Sequence, residues 1–186
     1  MTLFEDIKKD LPNFPDEVVQ EWLLPCANNY GWPPKHKKWE GILLFKAVKF
    51  WQAKKWEKQN IDLNRDIFSQ ETNDVFNGLY NTYILDQDNL YSNIENGKLR
   101  FENALSYLLK NGIFPKPIYL LFEQNQYSIA DGNHRFVAWY CALQLAKEIE
   151  NAGKEEKHKK IEIIQKKLKI KPIAHIPNKQ EVWVAY

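Results

Sequence analysis

Ile118-Tyr119-Leu120-Leu121-Phe122-Glu123-Gln124-Asn125-Gln126-Tyr127-Ser128-Ile129-Ala130-Asp131-Gly132-Asn133-His134-Arg135 is the stretch on which the fold turns. Ile118–Phe122 and Tyr127–Ala130 read as two strands joined by the polar turn Glu123-Gln124-Asn125-Gln126. From Phe136 to about Ile149 the pattern is helical, with no Gly or Pro. Asp131-Gly132-Asn133-His134-Arg135 therefore sits where a strand hands over to a helix. A glycine there lets the backbone turn sharply and approach a ligand closely. The first amides of the helix have no intrahelical partner, and His134 and Arg135 add cationic donors beside them. Such a junction can cradle a phosphate group. The plainer reading is a tight turn, since Asp-Gly is common in turns and His134 could bond a carbonyl.

Upstream of the hairpin, Phe101, Ala104, Leu105, Leu108 and Leu109 form one helical stripe, and Asn111-Gly112 has the form of its C-terminal cap. The polar segment before it, Asn60 to about Asn96, holds a helix near Asp74–Leu85 and then a loop. In the N-terminal third, Asp16 can cap a helix carrying Val18, Val19, Trp22, Leu23 and Leu24, which Pro25 ends or bends. From Trp39 through Trp56 the apolar residues predict one helix buried on several sides. Downstream, Lys154–Lys171 supports a second amphipathic helix, Lys171–Pro177 a strand and Val182–Ala185 an edge strand. The expected architecture is α+β: a Trp-rich helical region over residues 1–97, and a small mixed sheet with helices over 98–186.

The 44% hydrophobic content and the formal net charge of +2 describe a folded domain that is no polycation. No run approaches the roughly 18 apolar residues of a membrane span, and the N-terminus lacks a basic-then-apolar signal pattern. Cys26 and Cys141 lack metal-ligand spacing, as do His36, His158 and His175. A cytoplasmic protein without a membrane partner is the default expectation. Acidic residues interrupt the Lys154–Lys171 run and no aromatic residue interleaves it, which favours a solvated helix face over a nucleic-acid patch. Helical spacing assigns most tryptophans to the core, with a Trp-rich face for a protein partner or homodimer as the alternative.

Residues 98–177 resemble the ParB/sulfiredoxin superfamily. The resemblance is carried by Phe101–Leu109, Gly112-Ile113, Pro117–Leu121, Tyr127–Ala130, Asp131–Arg135, Phe136–Ala146 and Ile173–Ile176, less than half of the chain. Sulfiredoxins carry a catalytic cysteine just before the His-Arg pair, where this chain has Asn133, so sulfinic acid reduction is not expected. Chromosome-partitioning members carry Gly-Glu-Arg-Arg and a downstream DNA-binding module, and Gly132–Arg135 matches that motif poorly. The closer similarity is to Asp-Gly-x-His-Arg members, which include free-serine kinases and ParB-like nucleases.

That resemblance implies nucleotide binding, with ATP, ADP or CTP and Mg²⁺ as the ligands, and hydrolysis or phosphoryl transfer as the reaction. The implied phosphate contacts are Gly132, Asn133, His134 and Arg135, with Arg100 and Asn103 by spacing and Lys98 as the alternative basic residue. Implied catalytic residues are His134, Asp131 and Glu102, and no metal ligand is specified. Asp131 could hold Arg135, help bind Mg²⁺ or cap the helix, while Glu95, Asp86 and Asp88 are further acidic candidates. A DNA-binding or nuclease role is the alternative function, and a non-enzymatic interaction module the third.

Overall fold

Thr2 opens the first helix, α1 (Leu3–Asp10), with a reciprocal cap: its hydroxyl accepts from the Glu5 N–H and its own N–H donates to the Glu5 carboxylate. The structure, a computed structural model, describes residues 2–170 and 175–186. After α2 (Asp16–Val18) the helix widens into a π turn over Val19–Leu23 and continues as α3 (Leu24–Tyr30). Pro25 does not end this helix. It occupies the first turn of α3, directly after the wide turn, where a missing N–H is tolerated.

The single helix expected from Trp39 to Trp56 is interrupted. Two short helices, α4 (Lys38–Ile42) and α5 (Val48–Gln52), flank Leu44 and Phe45, whose left-handed backbone (φ 53° and 57°) breaks the helix. Trp56 then opens a strand, β1 (Trp56–Asp62). A 3₁₀ turn at Arg65–Ile67 leads to α6 (Gln70–Tyr83), which Ser69 caps, and α7 (Gly97–Asn111) ends as expected on left-handed Gly112. The hairpin comprises β2 (Ile118–Glu123) and β3 (Gln126–Asp131), and α8 (Asn133–Asn151), α9 (Lys154–Leu168) and β4 (Lys179–Ala185) complete the chain.

The fold class is α+β, with a four-stranded mixed sheet in the order β1-β4-β2-β3. β2 and β3 pair antiparallel, Leu120 opposite Ile129 and Phe122 opposite Tyr127. Gln124 and Asn125 both have positive φ, as a two-residue hairpin turn requires. Val182–Ala185, expected at an edge, lies instead in interior strand β4, and Val182, Val184 and Ala185 are fully buried. The other expected strand falls partly on residues 171–174, outside the described residues; His175–Pro177 have no regular structure. No helix among the described residues is long and apolar enough to cross a membrane.

The chain forms two compact units. The first comprises Met1–Gln59, Tyr119–Asp131 and Val182–Tyr186, and the second Asn60–Ile118 and Gly132–Glu181. The boundary read from sequence at residue 97 falls at the start of α7, inside the second unit. Strand pairing is non-local, so most of the hairpin joins the N-terminal third.

In the first unit Trp22, Trp39 and Trp51 are at most 2% exposed. Trp22 stacks on Tyr119 with centroids 5.7 Å apart, and Phe14 meets Trp56 edge-on at 4.8 Å. The Tyr119 hydroxyl donates to Glu21 (3.2 Å), and the Asn13 amide donates to the Trp51 and Lys54 carbonyls. These three indoles are core, as their spacing in the sequence predicts. In the second unit Phe68 and Phe76 pack on Phe136 of α8. Buried Gln180 accepts from the Phe114 N–H and donates to the Gly112 and Pro177 carbonyls.

Candidate functional site

The head of α8 is fixed by Gly132. Its backbone (φ 111°, ψ 16°) is one that L side chains rarely adopt, and a Cβ there would stand 2.5 Å from Cγ2 of Ile118. On that side, therefore, Ile118 and not a ligand makes the close approach that the glycine permits. The Gly132 carbonyl accepts the Phe136 N–H at 2.9 Å, starting a 19-residue helix. The amides of Asn133, His134 and Arg135 head that helix without intrahelical partners.

The first turn of α8 carries His134 and Arg135 and no acidic residue. This inverts the usual arrangement, because the positive end of a helix favours carboxylates and repels cations. Both side chains are half-buried. The Pro117 carbonyl accepts from Arg135 Nη2 at 3.2 Å and so fixes the guanidinium from one side. His134 Nε2 lies 3.1 Å from the Tyr83 hydroxyl, so one of the two donates to the other according to the imidazole tautomer. Tyr83 stacks on Phe101 with centroids 5.3 Å apart and abuts Gly97, where a Cβ would stand 2.3 Å from the hydroxyl oxygen. Burial pushes the phenol pKa up, against a smaller downward pull from the charge of Arg100.

Tyr83 also lines a cleft of about 390 Å³ between the end of α6 and the start of α7. Asp86, Asp88, Asn96, Lys98 and Leu99 line it too. Lys98, the alternative basic residue, thus faces the cleft. Arg100 instead bonds the Glu95 carbonyl at the exposed start of α7. Glu102 and Asn103 are exposed on α7 and do not line the cleft. Asp131 belongs to the first unit, where its charge adds to burial in raising the Cys26 pKa to about 11. Tyr83 was not a sequence candidate, for it lies 51 residues from His134 in a segment without a motif.

Asp86 and Asp88 line the same cleft; no group of three or more potential metal-binding side chains exists among the described residues. On α9, Lys160 pairs with Glu148 (3.6 Å) and Glu156 (3.1 Å), as a solvated helix face does. No family model, curated protein or solved structure matches the chain.

Proposed function

We propose that the second unit binds a phosphate-bearing ligand, a nucleotide, at the head of α8, in a fold of the ParB/sulfiredoxin kind. The observation that carries this reading is the first turn of α8, which places two basic side chains at the positive end of a 19-residue helix. An anion there gains from the helix macrodipole and from both side chains. The Tyr83–His134 bond connects this turn to a cleft large enough for part of a nucleotide. Lys98 would meet a second phosphate group, and Asp86 and Asp88 would hold Mg²⁺ against phosphate oxygens. His134 and Arg135 serve as phosphate donors, and His134 is the residue from which hydrolysis or transfer chemistry would proceed. Glu155, Glu156 and Glu162 interrupt the lysines of α9, which counts against the DNA-handling alternative.

Isothermal titration with ATP, ADP and CTP, with and without Mg²⁺, tests the proposal. Binding should weaken at least about tenfold in His134→Ala, through loss of a charge-assisted bond. Lys98→Ala, on the exposed rim, should weaken it without disturbing the fold. The proposal fails if no nucleotide binds, or if both variants bind like the wild type. Arg135→Ala is a poorer probe, because it also removes the Pro117 anchor.

A further inference from the structure

The lysine-rich helix near the C-terminus diverts attention from a stronger charge segregation in the first unit. Residues 35–55 hold seven of the chain's 26 basic residues and one of its 24 acidic ones. Lys35, Lys37, Lys38 and Lys49 are exposed, and none has an ion pair among the described residues. Lys46 and Lys54 differ: they flank Glu123 at 3.0 and 3.4 Å. Burial opposes ionisation of Glu123, but these two ammonium groups outweigh it and lower its pKa.

Aromatic rings interleave these lysines. Phe45 is 80% exposed, the most exposed large apolar side chain in the described structure. It is held there by consecutive left-handed residues, Leu44 and Phe45, and by the bond from its N–H to the Glu40 carbonyl. Neither residue is of a type that adopts this backbone readily, and chains keep such conformations mainly where a function uses them. Nearby in sequence, exposed Tyr30 stacks on His36 at 5.1 Å and 23°.

We propose that segment 30–49 is a binding surface for single-stranded nucleic acid, with Phe45 and the Tyr30–His36 pair as stacking platforms and Lys35, Lys37, Lys38 and Lys49 as phosphate contacts. Lysines without ion pairs and exposed rings within one short segment supply the two interactions that sequence-tolerant strand binding needs. An anionic membrane would use the same charges. The exposed large apolar residues of this unit, however, are Tyr30, Phe45 and Tyr186, all aromatic. The aliphatic ones, such as Leu90 and Leu99, belong to the other unit, which favours base stacking over insertion into hydrocarbon.

The test is fluorescence anisotropy of a labelled oligothymidylate with the full chain, between about 50 and 200 mM salt. Phe45→Gly is the decisive variant. It deletes the ring and also suits the left-handed backbone, so the fold is retained. Affinity should fall about tenfold. Lys37→Ala, Lys38→Ala and Lys49→Ala together should flatten the salt dependence by about 0.7 per lysine. The proposal is overturned if the oligonucleotide does not bind, if either variant binds like the wild type, or if phosphatidylserine vesicles bind and the oligonucleotide does not. Mononucleotide binding at α8 should be unchanged in Phe45→Gly. Its absence from the wild type would count against that site alone.

Discussion

Replacing Gly132 by Ala places a methyl group against a fully buried strand residue, and its cost can be worked out in two parts. A backbone at φ 111° penalises any L side chain, by about 1–2 kcal/mol for left-handed conformations. The new Cβ would also stand 2.5 Å from Ile118 Cγ2 and 3.0 Å from Ile118 Cβ. Ile118 is 0% exposed and belongs to β2, so it cannot swing aside. Overpacking of this kind costs about 1–3 kcal/mol. The other close atom, Arg135 Nη2 at 3.0 Å, is the end of a flexible side chain and can move cheaply. The sum is about 3 kcal/mol, which at roughly 2 kcal/mol per molar urea lowers the unfolding midpoint by about 1.5 M. Urea unfolding followed by far-UV circular dichroism measures it. Ile118→Ala removes Cγ2, so Gly132→Ala should cost about 1–2 kcal/mol less in that background, with the backbone part remaining. A midpoint within about 0.3 M of wild type, or strictly additive costs in the double variant, would refute the steric account.

Gln180→Leu strips partners from the Phe114 N–H and from the Gly112 carbonyl. It should destabilise the protein by about 2–4 kcal/mol in urea unfolding, and a loss under about 1 kcal/mol would contradict the pairing. Trp51→Ala, at the centre of the aromatic core and 0% exposed, should cost about 3–5 kcal/mol or prevent folding. Alkaline pH should destabilise the fold. Burial raises the Cys141 pKa from 9.0 to about 12, and burial with Asp131 raises that of Cys26 to about 11. Above pH 9 the unfolded thiols lose protons that the folded ones keep, so stability falls as pH rises from about 9 toward 12. Urea midpoints at successive pH values in Cys141→Ala should show a shallower decline; an unchanged decline would exclude the thiol as its source.

The elements most legible in the sequence were those with local chemistry. The hairpin, the glycine cap at Gly112 and the helices over α7, α8 and α9 each carry their own turn or periodic signal. Trp39 to Trp56 misled, because an apolar run with helical spacing does not reveal two left-handed residues in its middle. β1 is hidden for a related reason: its alternation begins at Trp56, the last residue of the apolar helical pattern, and continues through polar residues. β4 was misplaced because an edge and an interior position differ in tertiary neighbours, which Val182–Ala185 alone cannot specify. In the site, the motif was visible and its surroundings were not. Lys98, Asp86 and Asp88 meet Tyr83 in one cleft only through the packing of α6 and α7.

Gly132 is required by packing alone, so its presence is no evidence for a ligand. The weight of the functional reading rests on charge. A helix N-terminus with His134 and Arg135 in its first turn and no carboxylate there is electrostatically unfavourable by itself. An acid at this turn would complement the helix dipole. Asn133→Asp supplies one with no change in shape. It should stabilise the ligand-free protein by about 0.3–1 kcal/mol. The same carboxylate would occupy the field meant for a phosphate, and nucleotide affinity should drop about tenfold or more. Paired urea unfolding and calorimetric titration read the two effects separately. Opposite signs, a more stable protein that binds less, are the signature of a turn held ready for an anion. If Asn133→Asp destabilises the chain, the cations are already balanced internally and the turn is structural.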